Sequence, residues 1–136
     1  MKIRVSILAT LALGLIVAAP AVAHHSFNAQ YDRNKPTTLV GTVKQVDWIN
    51  PHARFFVEVT ASGKAVLWEI ELGAPAMLMR QGWTRSTLKI GDSVTVNGSL
   101  AKDGSNLANA MTVTLSNGKR VFAGSSGGDA ENPPQP

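Results

Sequence analysis

The sequence predicts a mostly β domain, a small five-stranded barrel with one short helix, preceded by a signal peptide. Three observations carry that reading. Apolar and polar residues alternate along most of the chain, the pattern of half-buried strands. A single segment with Pro at its start and Gly after its end interrupts them as a helix would. A basic, then apolar, then small-residue region opens the chain as an export signal does.

In that opening region Lys2 and Arg4 are followed by the nearly continuous apolar run Val5 to Ala19. Pro20 breaks the run before Ala21-Val22-Ala23, a small-x-small cleavage site that assigns residues 1–23 to the signal. The run is shorter than the roughly 20 residues needed to span a bilayer. Nothing downstream resembles a membrane helix, so the mature protein is expected in the periplasm or outside the cell, without membrane insertion after signal removal. Cleavage leaves 113 of the 136 residues, enough for one small domain.

Residues 24–36 read as an irregular, polar lead-in ending at Lys35-Pro36. Leu39 to Trp48 form the first strand, with Leu39 and Val43 on one face and Val40, Val46 and Trp48 on the other. Gly41 between them suggests a bend or bulge that lets one strand serve two sheets. After the turn Asn50-Pro51-His52, Phe55, Val57 and Val59 alternate with polar neighbours, and Phe56 breaks the pattern. Ala61-Ser62-Gly63-Lys64 closes a hairpin onto Val66, Trp68, Ile70 and Leu72, which alternate with Glu69 and Glu71.

Pro75 and Gly82 bound a helix over Ala74 to Gln81, with Met77 and Leu78 expected inward. Leu88 to Asp92 turn into Val94, Val96 and Leu100. A polar loop follows over Ala101 to Asn109, then a strand through Met111, Val113 and Leu115. Asn117-Gly118 signals a type I′ hairpin to a final strand over Lys119 to Phe122. The domain is thus expected over 37–122, and residues 123–136, rich in Gly, Ser, Pro and Asn, read as a disordered tail. The expected core is Val43, Val57, Val59, Trp68, Ile70, Val94, Val96, Val113 and Leu115. Three meandering strands, a helix and two further strands follow the order of the OB-fold, a Greek-key barrel whose first strand is shared at the closure.

Several motifs in one order resemble a family of exported bacterial proteins, domain of unknown function 6152. They are His24-His25-Ser26-Phe27, Asn50-Pro51-His52, Trp68 to Gly73, Gly82-Trp83, Leu88 to Asp92 and Ala101 to Ser105. The resemblance covers nearly all of the mature chain and implies bacterial origin and export. It brings no catalytic residue and no function, so the chemistry rests on this sequence.

Composition narrows that chemistry. Two of the 13 basic residues leave with the signal, so 11 face nine acidic residues and the net charge is +2, too mild for a polyanion partner. No cysteine is present, which excludes disulfides, thiolate metal sites and a cysteine nucleophile. Trp48, Trp68, Phe55 and Phe56 would suit a stacking platform. Phe55 and Trp68 share the core parity, however, and no nucleic-acid partner is expected. There is no G-x-S-x-G, no phosphate-cradling glycine loop and no H-E-x-x-H, so no enzyme is expected.

The chain has three histidines. His24 would begin the mature protein, His25 would follow it, and His52 lies in a loop. A terminal histidine offers its amine and its imidazole Nδ1 for a chelate ring. With the other imidazoles this makes a nitrogen-rich set suited to copper, with zinc as competitor. The plainer reading is a polar terminus that happens to begin with two histidines, while His52 caps a turn. Asp32 and Asp47 read as solvated charges, and Met77, Met79 and Met111 as core filler. Lys102 to Asn106 read as a reverse turn, and Arg80 and Arg85 as solvent-facing. The first functional expectation is a copper-binding carrier, buffer or accessory protein. The alternative is a metal-free module that binds a small ligand, an envelope component or a protein through its loops.

Overall fold

The computed structural model describes residues 27–124. Residues 1–26, with the expected signal, His24 and His25, and residues 125–136, most of the expected tail, lie outside the described residues. Within them run α1 (residues 27–30), β1 (Tyr31–Asp47), β2 (Arg54–Ala61), β3 (Lys64–Glu71), α2 (Pro75–Arg80), β4 (Ser93–Ala101), β5 (Leu107–Thr114) and β6 (Arg120–Phe122). The fold is mostly β.

Strands pair in the order β3-β2-β1-β4-β5-β6. These ladders are antiparallel. A further parallel contact joins β3 to β5 through Glu69–Leu107, Ile70–Ala108 and Glu71–Asn109, so the first five strands form a ring. β1 makes this possible by serving two neighbours: it pairs with β4 up to Thr42 and with β2 from Thr42 onward. Gly41 sits at the handover, where a Cβ would lie 2.2 Å from the Glu58 carbonyl oxygen. Gly41→Ala is therefore expected to force the β1–β2 ladder apart, at about 1–3 kcal/mol in denaturant unfolding. Unchanged stability would show that the two strands have room to separate.

A bulge between Val43 and Gln45 explains the mixed parity of the first strand. Before it Leu39 and Val43 point inward; after it Val46 and Trp48 pack on the same core, while Val40 remains exposed. Phe55, Val57, Ile70, Leu72, Val94, Val96 and Val113 complete the interior, with Leu78, Trp83 and Leu88 packed among them. Trp83 donates its Nε1–H to the Phe122 carbonyl at 2.7 Å, tying the segment after α2 to β6.

Several expectations require correction. Val59, Trp68 and Leu115 are only partly buried at the edge of the core, because β3 meets β5 only near its C-terminal end. The helix buries Pro75 and Leu78, three residues apart on one face, and turns Met77 outward. Met79 is also exposed. Met111 faces out because it is the extra residue of a bulge: Asn97 pairs with Thr112 and Gly98 with Ala110. None of the three methionines is core filler.

The Asn117-Gly118 connection is not type I′, since of the two only Gly118 takes positive φ. Leu115 instead accepts the Gly118 N–H, and Asn117 Oδ1 accepts the Lys119 N–H. Positive φ at two successive residues, the type I′ signature, occurs at Ser62-Gly63. At the C-terminal side, Ala123 and Gly124 are buried and belong to the packed structure rather than to a tail. Ala123 donates to Met111 and accepts from Gly73, both at 2.8 Å.

The largest difference lies in the lead-in. Residues 27–36 are helix and then strand, with Tyr31 opposite Ala101 and Pro36 opposite Ser99. Pro36 costs little there because β1 has a neighbour on one side only. Phe27 and Tyr31 pack with Ala101 and Leu107 as a second, separate core. Such a cluster of residues far apart in sequence leaves no periodic trace.

Candidate functional site

Alternation along β3 turns Ile70 inward, and so turns Glu69 and Glu71 to the outer face of the ring. Arg54 lies opposite Glu71 in the β2–β3 ladder but donates from Nη1 to Glu69 Oε1 at 2.6 Å. The residue before it, Ala53, exchanges backbone hydrogen bonds with Leu72 and Gly73. That clamp fixes the end of the β1–β2 loop against the end of β3. It sets His52 beside Glu71, with Nδ1 3.5 Å from Oε1.

The same Glu71 oxygen accepts a hydrogen bond from Asn109 Nδ2 at 3.0 Å. Asn109 arrives there because β5 runs parallel to β3 at this point. Tyr31 approaches from β1. Its hydroxyl is buried and lacks a hydrogen bond of full geometry. Burial, then the negative charge of Glu71 and a contact to its carboxylate, push the phenol far above its ordinary range. Glu69 adds to the shift and Arg54 opposes it. The hydroxyl therefore remains a neutral donor turned toward an acidic neighbour. The cluster is Tyr31, His52, Arg54, Glu69, Glu71 and Asn109, drawn from three strands and one loop besides β1.

The N-terminal segment is held to this side of the molecule by the β4–β5 loop. The Lys102 backbone N–H donates to the Gln30 carbonyl at 2.9 Å, and its ammonium donates to the Asn28 carbonyl. A cation at the last carbonyls of a helix is favourable on charge grounds as well. Phe27 packs against Tyr31 with ring centroids 5.3 Å apart and planes tilted by 34°, and the Arg33 guanidinium lies 5.3 Å from the Phe27 ring centre. Asn106 of the same loop accepts the Glu69 N–H at 2.9 Å. The β1–β2 and β4–β5 loops therefore touch the same strand two residues apart.

Of the three candidate ligands, His52 is described, at the surface, with its side chain 39% exposed. His24 and His25 lie outside the described residues. Among the described residues no group of three or more His, Cys, Asp or Glu is arranged to hold a metal ion. Asp32 accepts the Asn34 N–H and Asp47 accepts from Gln45, so each serves its own strand. Asp103 is bonded by the hydroxyl and N–H of Ser105, which lower its carboxyl pKa and shape the loop as an Asx turn. Arg80 and Arg85 are exposed.

Of this cluster the sequence reading named His52 alone and missed Tyr31, Arg54, Glu69, Glu71 and Asn109. Asn109 carried the one usable signal, a polar residue inside the run Leu107 to Ala110, and it is 2% exposed. Among the described residues no helix is long and apolar enough to cross a membrane.

A family model matches residues 13–110, and the chain belongs to that family, a family of unknown function (DUF6152). The chain matches none of the curated proteins.

Proposed function

We propose that this chain is exported, is processed to begin at His24, and binds copper through the terminal amine and imidazole of His24 together with His52 and His25. It would act as a carrier, buffer or accessory protein in the periplasm or outside the cell. Its fold we read as an OB-like Greek-key barrel. The strand order, the parallel β3–β5 closure and a helix between β3 and β4 support that reading.

One observation carries the metal reading: the N-terminal segment is anchored on the cluster that holds His52. The buried Tyr31 hydroxyl feels the Glu71 carboxylate, Glu71 Oε1 lies 3.5 Å from His52 Nδ1, and the Phe27 ring packs against that of Tyr31. His24 precedes Phe27 by three residues, a span of about 10 Å at full extension. Fixing the backbone of a residue costs about 1–2 kcal/mol. With α1 already clamped, the cost falls on three residues, about 3–6 kcal/mol, rather than on the dozen that precede Pro36.

The donor set suits the ion. Neutral imidazoles and an amine favour Cu(II), at the top of the divalent series, over zinc. The amine, with an ordinary pKa of about 7.7–8.0, gives up its proton readily near neutral pH.

The test is protein expressed with its signal and purified from the periplasm or medium. Intact mass should correspond to a chain starting at His24, and metal analysis should give one copper per chain. Another start removes the terminal chelate. A correct start without copper contradicts the metal reading and favours the metal-free interaction module.

A further inference from the structure

We propose that Glu71 is a positioning residue that holds His52 as its Nδ1–H tautomer, leaving Nε2 as the atom presented to a metal. The proposal rests on the metal reading above and names the residue that prepares its loop ligand.

A carboxylate offers only acceptors, so the imidazole nitrogen turned toward it is the one that carries the proton. His52 turns Nδ1 toward Glu71 Oε1 at 3.5 Å. A neutral imidazole has one N–H, and Nε2 is then left with its lone pair. The distance exceeds the about 2.7–3.2 Å of a full N–H···O bond. The contact is therefore a directional electrostatic preference, which a cation on Nε2 would tighten by making Nδ1–H more acidic.

Glu71 is built to hold still while His52 reaches out. The Glu71 side chain is 17% exposed against 39% for His52. Its Oε1 also receives the Asn109 amide at 3.0 Å. Arg54, its partner across the ladder, spends Nη1 on Glu69. The Glu71 carboxylate is thus faced by the Asn109 amide, the Tyr31 hydroxyl and the His52 ring. Histidines bound to metals commonly hand their other N–H to such a carboxylate, and losing it costs about 10–100-fold in metal affinity.

The experiment is nitrogen–proton correlation NMR of the His52 ring in folded, copper-free mature protein, in wild type, Glu71→Met and Glu71→Gln. Wild type should show the Nδ1–H form. Glu71→Met keeps the chain length without an acceptor and should revert to the Nε2–H form that unconstrained imidazoles prefer. Glu71→Gln keeps an acceptor oxygen and should retain Nδ1–H, which a general loss of packing would not reproduce. Copper affinity should fall 10–100-fold in Glu71→Met and hold within a few-fold in Glu71→Gln. An Nε2–H ring in wild type overturns the proposal whatever the variants do, as does an unchanged ring in folded Glu71→Met. Failure of wild type to bind copper overturns the function proposed above instead, and the tautomer still decides the role of Glu71.

Discussion

Phe55→Ala is expected to destabilise the protein by about 3–5 kcal/mol, the usual cost of deleting a fully buried aromatic ring. Phe55 is 0% exposed and lies opposite Val46 on one ladder and Ile70 on the other, at the centre of the ring. Deleting the ring there opens a cavity between β1, β2 and β3. Trp68→Ala should cost less, although tryptophan is the larger residue. Trp68 is only partly buried at the edge of the core, so water can take up the space its indole leaves. Denaturant unfolding of both variants checks the order. A Trp68→Ala cost equal to or above that of Phe55→Ala would mean that the edge of the core near Trp68 is closed in solution.

That pair also shows where sequence reading reaches its limit. Phe55, Val57 and Ile70 were legible because alternation alone sends them to one face. Trp68 has the same parity, but its burial depends on whether a further strand covers it, and alternation is silent on that. The methionines failed for a related reason. Met111 and Val113 share parity in the sequence, yet the bulge opposite Asn97 and Gly98 turns Met111 out. A bulge belongs to a pair of strands and cannot be seen in one of them.

The candidate site divides in the same way. His52 stood out by residue type and by its place after Pro51. Glu71 entered the sequence reading only as one of two acids alternating with the apolar residues of its strand, and the parallel β3–β5 contact that brings Asn109 to it leaves no trace there. α1 and the first residues of β1 were read as irregular because their partners, Ala101 and Leu107, lie some seventy residues away. Tyr31 is the link between the two halves. It belongs to that second cluster, and its buried hydroxyl feels the charge of Glu71, the carboxylate that lies 3.5 Å from His52.

The central claim is that the mature terminus and His52 bind one copper ion together, and a competitive copper titration against a chelator of known affinity tests it most directly. Three proteins are needed: mature protein starting at His24, the same protein with one extra residue before His24, and mature His52→Ala. A bound nitrogen ligand lost from a site whose other ligands sit on an anchored segment should weaken binding by well over tenfold, a change above about 1.4 kcal/mol. Mature protein should bind one copper tightly, and both variants should lose at least that much affinity. Equal affinity in His52→Ala and mature protein would mean that the terminus chelates alone and that no folded site exists.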